Sequence, residues 1–220
     1  YPKSVWRLPK GWIDEGATKP ETSFTLKEIT LTPHEVAAHT IVTDKLLRNW
    51  TAADAVLIRL FRAAMTGAED YAFLRGTGVG QPLGIIDAPG AKVVTRGTAS
   101  TIVYQDLENM LNELMSNQGG GAPVFIAGRK TMPQFTSIVD PGTAGTLIWQ
   151  FNAREGQPNT LMGYPLIFND RSPALGSKGD LVLADLSYYL IKDGSGPYVD
   201  ASPHVYFTTN KTVYKCFWNV

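Results

Sequence analysis

The sequence predicts an α+β fold for this chain of 220 residues. Two amphipathic segments, 52–75 and 101–118, have the periodicity of helices, and several short apolar segments are typical of strands. The helices and strands occur in blocks and do not alternate strictly, which favours α+β over α/β. The length is sufficient for one large domain, or two small ones, with a sizeable buried core.

Composition argues against several function classes. The 20 basic and 20 acidic residues give a net charge of zero, whereas partners rich in phosphate usually require a basic excess. Cys216 is the only cysteine, which excludes an internal disulfide and a cysteine-cluster metal site. No apolar run approaches the ~20 residues of a membrane span. Because the chain starts at Tyr1 and stops within the apolar run FWNV, we expect further residues at both ends.

The first 33 residues are polar and threonine-rich, with four prolines. Apolar residues alternate at Phe24 and Leu26 and again at Ile29 and Leu31, with a slip of one position between the two pairs. Two strands with so little apolar content are marginal alone. We therefore expect 1–33 to project as a two-stranded segment that rests on something else.

Segment 52–75 predicts one continuous helix, the longest in the chain, that stops at Gly76. Thr51 and Asp54 suggest a capping box at its start. About 24 residues at ~1.5 Å each give a length of about 36 Å, sufficient to span a whole domain. The apolar residues with helical spacing are Leu57, Leu60, Phe61, Ala64, Ala68 and Tyr71.

The remaining elements follow in order. Segment 101–118 predicts a second helix with Leu107, Met110, Leu111 and Leu114 on one face, ended by glycines. PVFIAG at 123–128 predicts a buried strand, and 140–160 a loop rich in Gly, Pro, Asn and Thr. Further strands are expected within 162–168, within 180–193 and from Val205 onwards.

A glycine-rich stretch follows the long helix. Nucleotide folds place such glycines before a helix, whose amino end then binds phosphate. Here the order is reversed, and the Gly-Lys-Ser/Thr sequence of a phosphate-binding loop is missing. The pattern therefore predicts a structural turn without nucleotide or metal, formed by Gly76, Gly78, Gly80, Gln81, Pro82 and Gly84.

Four motifs in the same order resemble tailed-phage major capsid proteins of the Hong Kong 97 type. The first two are GWIDEGATKPE, with Trp12, Glu15, Lys19 and Glu21, and the helix end FLRGTGVGQPLGII. The other two are NTLMGYPLIFNDRSP and GDLVLADLSYYLI. Together they extend over nearly the whole chain.

The resemblance implies a fold with an extended loop, a peripheral domain built on a spine helix, and an axial domain. It assigns 1–33 to the extended loop, 34–90 with 183–220 to the peripheral domain, and 91–182 to the axial domain. This agrees with the projecting segment and the spine-length helix expected from the residues themselves.

The resemblance also implies a function: a major capsid protein that self-assembles into the icosahedral shell of a tailed phage or prophage. Its partners would be its own copies in hexamers and pentamers, packaged DNA through weak non-specific contact, and scaffold, protease and portal proteins. It would be located in the virion capsid after assembly in the bacterial host cytoplasm, with no membrane partner and no cofactor. An encapsulin-like nanocompartment shell is the related alternative.

Inter-subunit contacts are expected from Trp6 and Trp12, because exposed aromatics on a projecting segment usually mark an interface; packing within a local hairpin is the alternative. Glu15, Lys19 and Glu21, from the motif that carries the resemblance, are further candidates for such contacts. In some family members a lysine of the extended loop forms an isopeptide bond with an asparagine of a neighbour. Lys19 and Asn210 would be that pair here. No glutamate follows Glu155 to assist the reaction, so we expect Lys19 to form an inter-subunit ion pair instead.

An enzyme is the alternative from a different class. The three histidines, His34, His39 and His204, do not form a metal-binding pattern, since the first two are five apart in a predicted strand. GSG at 194–196 lacks the frame of a nucleophile elbow. A carbohydrate or adhesin module would fit an all-β chain better than one with a spine helix. We therefore predict no catalytic residue.

Overall fold

The computed structural model describes residues 30–50, 52–114, 121–139, 159–194 and 196–220. The chain divides into two compact units, Tyr1–Thr32 and Pro33–Val220. In the first unit only residues 30–32 are described, and these form neither helix nor strand. The predicted two-stranded segment 1–33 thus lies almost entirely outside the described residues.

The second unit contains all the helices and strands of the described residues. The helices are α1 (Asp44–Asn49), α2 (Ala53–Arg75), α3 (Tyr104–Glu113) and α4 (Met132–Phe135). The strands are β1 (Glu35–Thr43), β2 (Pro123–Gly128), β3 (Thr160–Leu161), β4 (Tyr164–Asn169), β5 (Leu181–Asp185), β6 (Tyr198–Ser202) and β7 (Lys211–Asn219). Among the described residues, no helix is both long enough and apolar enough to cross a membrane.

Helix α2 confirms the predicted continuous helix. It has 23 residues, is the longest in the described part of the chain, and ends at Gly76. The predicted capping box is wrong. The residue at the amino cap is Ala52, without a side-chain cap, and the Asp54 carboxylate instead accepts a hydrogen bond from the Tyr214 hydroxyl. Tertiary contact with β7 thus replaces the local cap.

The apolar face of α2 is divided between core and solvent. Phe61 and Met65 are buried, because this side of the helix packs against the first sheet. Leu60 and Tyr71, which the periodicity placed on the same face, are exposed. The spacing of the apolar residues therefore predicts the helix correctly but predicts only some of its buried residues.

The first sheet has the strand order β1-β7-β6 and is antiparallel throughout. Glu35 pairs with Asn219 and Thr43 with Lys211, so that β1 lies along the whole of β7. Alternate residues of β7 point towards α2, as expected for a sheet with one covered face. The resulting core consists of Val42, Phe61, Met65, Tyr214 and Cys216.

The second sheet has the order β3-β4-β2-β5, with β2 parallel to β4 and antiparallel to β5. Strand β2 coincides with the buried strand predicted at 123–128. One face forms a core with Leu107 of α3, and its buried members are Ile102, Leu107, Phe125, Ala127, Phe135, Ile138, Leu161 and Leu166. On β2, Ile126 belongs to a separate cluster with Leu74 of α2 and with Ile86.

Three predicted elements differ in extent. Helix α3 is shorter than 101–118, and it starts where the Val103 amide donates to the Asp106 carboxylate at 3.1 Å. In 180–193 only Leu181–Asp185 is a strand, because Asp185 accepts from the Ser187 amide at 3.0 Å and turns the chain into a short 3-10 helix. The strand expected from Val205 begins only at Lys211, after the 3-10 helix His204–Thr209.

Candidate functional site

The glycine-rich stretch forms a tight turn at the carboxyl end of α2. The Gly76 amide donates to the Ala72 carbonyl at 2.7 Å and completes the last helical bond. The Gly84 amide then donates to the Gly76 carbonyl at 2.8 Å, and Thr77 lies opposite Leu83 in a single bridge. The chain therefore folds back on itself between 76 and 84 and returns to the helix end.

Two different constraints require glycine in this turn. A Cβ on Gly84 would lie 2.5 Å from the Gly76 nitrogen, and a Cβ on Gly76 would lie 2.0 Å from the Pro82 carbonyl oxygen. Gly78 and Gly80 have φ angles of +77° and +67°, which residues with a side chain rarely adopt. Both close approach and left-handed backbone are thus needed here.

Gln81 completes the turn, since its side-chain amide donates to the Thr77 hydroxyl at 3.2 Å. The turn lies at the negative end of the α2 dipole, where an anion such as phosphate is disfavoured. This arrangement fits a structural element.

The segment 186–191 is attached to this turn through Tyr189. Its hydroxyl donates to the Leu83 carbonyl at 2.7 Å, and its ring packs edge-on against Phe73 of α2 at 5.9 Å. Burial raises the pKa of the Tyr189 phenol above its ordinary value, which keeps the donor protonated. The turn and the segment therefore form one continuous region of the surface.

This region exposes large apolar side chains. Each of them is between 39% and 84% exposed. We call the set the apolar turn surface, and its members are Val79, Leu83, Leu186, Tyr188, Leu190 and Ile191. Sequence analysis missed it, because a strand predicted over 180–193 would have buried alternate members. The sequence feature that indicates this surface is the uncharged, mostly apolar run LSYYLI at 186–191.

The predicted inter-subunit contacts at Trp6, Trp12, Glu15, Lys19 and Glu21 lie outside the described residues. Asn210 is described: it has a φ of +52°, is exposed, and its carbonyl accepts from the Asp44 amide at 3.0 Å. The pairing of Lys19 with Asn210 thus remains a prediction.

The histidines lie in separate settings. His34 pairs through its main chain with Val220, His39 is opposite Lys215 in the first sheet, and His204 begins a 3-10 helix. Within the described ranges, no group of three or more His, Cys, Asp or Glu side chains is placed to hold a metal ion.

A buried ion pair escaped the sequence analysis. The Asp180 carboxylate, of which 4% is exposed, accepts from the Arg96 guanidinium at 2.6 Å and from the Gly176 and Leu181 amides at 2.7 and 2.9 Å. Donors from two separate loops converge on it. The group therefore holds the loop around Arg96 against the start of β5.

Comparison with known proteins gives one family and several similar folds. The model of the phage capsid family matches residues 2–220. The capsid of an empty GTA particle is 21% identical, with a TM-score of 0.71, and the match covers 96% of this chain and 75% of that chain. The capsid of a native GTA particle has the same identity and coverage, with a TM-score of 0.72.

A structure from Mycobacterium phage Cain is more distant. It is 17% identical with a TM-score of 0.53, and the match covers 95% of this chain and 73% of that chain. No curated protein sequence matches the chain. At these identities the likeness to solved structures concerns the fold.

Proposed function

Because the chain belongs to the phage capsid family, we propose that it is the major capsid protein of the icosahedral head of a tailed phage or prophage. The chain is a structural capsid protein of a phage or phage-like particle that associates with its own copies into a shell. The likeness to solved capsids confirms the predicted α+β capsid fold. The icosahedral form, the tailed phage and the enclosed DNA are the proposal.

The observation that carries this proposal is the family match over 2–220. The spine helix supports it, because 23 residues give a rigid rod of about 35 Å. The helix packs along its length against the first sheet and forms a core with it. At the end of the helix, Leu74 packs in the cluster that includes Ile126 of the second sheet. The helix thus gives the subunit a rigid axis, which suits a structural role in a shell.

We extend the proposal to the domains. Residues 1–33 would be the extended loop, 34–90 with 183–220 the peripheral domain, and 91–182 the axial domain. The separate cores of the two sheets support this division. The boundary at 182/183 falls inside β5, all of which pairs with β2, so the division is better placed after Asp185.

The proposed partners are copies of the chain in hexamers and pentamers. Packaged DNA would be held only by weak, non-specific contact, which the net charge of zero supports. Scaffold, protease and portal proteins would act during assembly in the bacterial host cytoplasm, and the product would be the virion capsid. These partners and this location are proposed from the family.

We also propose that the protein has no enzymatic activity. Its buried carboxylates support this, because they already accept hydrogen bonds from the main chain. Asp106 accepts from the Gly97 and Val103 amides at 3.0 and 3.1 Å, and Asp180 from two amides and Arg96. Both carboxylates are thus held in place by donors of the chain itself.

Electron microscopy of the purified chain tests the shell. We expect closed icosahedral particles, and uniform monomers at high concentration would contradict the proposal. Nucleic acid inside particles purified from infected or induced cells would support a phage head. Particles filled with an enzyme would identify the encapsulin-like alternative.

The proposed extended loop is tested by Trp12→Ala. If 1–33 lies over a neighbouring subunit, its burial comes from association, and the substitution impairs assembly while the melting temperature of the isolated subunit stays unchanged. Loss of several kcal/mol of subunit stability, as for a core aromatic, would contradict this. Lys19 would then form an inter-subunit ion pair, and a covalent bond to Asn210 would instead appear as oligomers that persist under denaturing electrophoresis.

A further inference from the structure

We propose that the apolar turn surface is an assembly interface, which a second copy of this chain covers in the shell. The inference rests on the proposed function and specifies where one subunit binds another. It assigns a role in association to the glycine turn and to the segment 186–191.

The area of this surface suits an interface. Six large side chains, five aliphatic and one aromatic, are each 39–84% exposed. At about 150 Å² for each fully exposed side chain, the lower end of the aromatic range, they present roughly 500 Å² of mostly apolar area. The largest apolar patch of an ordinary monomer is about 300–600 Å² and is often functional. A stable interface buries about 800 Å² on each partner. The surface thus supplies more than half of one side of such a contact.

The charge pattern favours another copy of this chain as the occupant. Residues 76–86 and 186–191 contain no charged side chain. Charges of both signs border them in sequence, with Arg75 and Asp87 around the first segment and Asp185 and Lys192 around the second. An apolar centre with a mixed polar rim is the usual anatomy of a protein interface. Because the rim carries charges of both signs, the basic residues of one copy can lie near the acidic residues of another.

The surface is held in shape before any partner binds. Tyr189 joins the two segments through its 2.7 Å bond to the Leu83 carbonyl. The contact between Gly84 and the helix end fixes the return of the turn. A surface that is already ordered loses little conformational freedom on association, so its apolar area contributes more fully to binding.

A matched pair of leucines tests the proposal. Leu190 in the apolar turn surface and Leu60 on α2 are each 57% exposed. We expect Leu190→Gln to raise the protein concentration needed for shell formation at least tenfold, and Leu60→Gln to leave it within twofold of wild type. Light scattering and electron microscopy measure assembly, and thermal melting confirms that both variants fold.

Three outcomes overturn the inference. The first is assembly of Leu190→Gln like wild type, and the second is equal failure of Leu60→Gln; in both cases the proposed function stands. Absence of shells from the wild-type chain would overturn the proposed function together with the interface. The two failures are therefore distinguishable.

Thiol labelling gives a second, direct measurement. Cys216, the only cysteine, is fully buried, so Leu190→Cys introduces one accessible thiol. A maleimide probe should label it at least tenfold more slowly in shells than in unassembled subunits, while Leu60→Cys changes by less. Equal labelling of Leu190→Cys in the two states, or equal protection of both positions, contradicts the interface.

Discussion

At the scale of single residues, the Asp180 carboxylate connects parts of the chain that are distant in sequence. It neutralises Arg96, which lies 84 residues earlier, and caps two amides near its own position. Removal of the carboxylate leaves Arg96, of whose side chain 24% is exposed, without its partner, and leaves two amides without their acceptor. The cost of losing one partner is then large.

Asp180→Ala should lower the free energy of unfolding by about 2–4 kcal/mol, because two amides lose their acceptor and the partly exposed Arg96 loses its partner. Urea denaturation measures this. The matched control is Lys178→Ala, which breaks the 2.8 Å ion pair with Asp87 in which both side chains are about half exposed. Solvent screens that pair, so we expect a loss below about 1 kcal/mol. Equal losses in the two variants would contradict the role of burial.

Tyr214 gives the fold a dependence on alkaline pH. Burial and the hydrogen bond to Asp54 raise the pKa of its phenol from 10.0 to about 12. Between these values the unfolded chain has lost the proton and the folded chain retains it, so stability falls as pH rises. The stabilisation is fully present below pH 10 and is lost towards pH 12.

We expect the free energy of unfolding to fall by about 1 kcal/mol from pH 9 to pH 11 through Tyr214, since one pKa unit corresponds to about 1.4 kcal/mol. Tyr214→Phe removes the titrating group and should give a correspondingly smaller slope. Guanidinium titrations at several pH values provide both curves. Parallel curves for the two proteins would show that another group is responsible.

At the scale of elements, the glycine turn shows two different reasons why a position requires glycine: close approach of other main-chain atoms, and a left-handed backbone. Gly84→Ala would place its Cβ against main-chain atoms at 2.5–2.7 Å, which cannot move aside as a side chain does. Gly80→Ala meets nothing within 4 Å and is strained only by its φ of +67°. The same substitution therefore has two different costs within one turn.

Gly84→Ala should destabilise the protein by roughly 3 kcal/mol or more, at the upper end for single substitutions. Gly80→Ala should cost about 1–2 kcal/mol, the penalty of the left-handed region. Thermal unfolding of both variants measures the two losses of stability and so tests which substitution costs more. The interpretation of the turn is wrong if Gly80→Ala is the more destabilising.

Local signals account for the elements that sequence predicted well. Helix α2 ends at a glycine, and β2 is a short apolar run that follows three glycines in the sequence and precedes a 3-10 helix. The segment 186–191 was mistaken for a strand because its residues favour strands, whereas the bond from Ser187 to Asp185 ends the strand. Likewise, periodicity predicts burial for both Leu60 and Phe61. Only Phe61 is buried, because the first sheet packs against its side of the helix.

At the scale of the whole molecule, two cores are connected through a smaller cluster. The first sheet and α2 form one core, the second sheet and α3 form another, and Leu74, Ile86 and Ile126 lie between the end of α2 and β2. Leu74 is nearly fully buried there. We therefore expect the cluster to couple the unfolding of the two cores.

Leu74→Ala should cost about 2–5 kcal/mol, the range for a truncated core leucine, and should divide one calorimetric transition into two. Differential scanning calorimetry measures both effects. The control is Leu107→Ala, which removes a buried leucine from inside a single core and should lower the transition temperature without dividing it. A single transition in both variants would show that the cores are coupled elsewhere.

The pairing of β1 with β7 has a consequence for folding during synthesis on the ribosome. Asp44, the residue directly after β1, accepts a 2.8 Å hydrogen bond from the hydroxyl of Thr212 in β7, although 168 residues separate the two. A ribosome that adds ~5–20 residues per second needs roughly 10–30 s to supply the second partner after the first. Throughout that interval β1 and the core side of α2 lack the strand that covers them. The core side of the spine helix therefore stays uncovered until β7 has been synthesised, and a newly made subunit completes its first core only then.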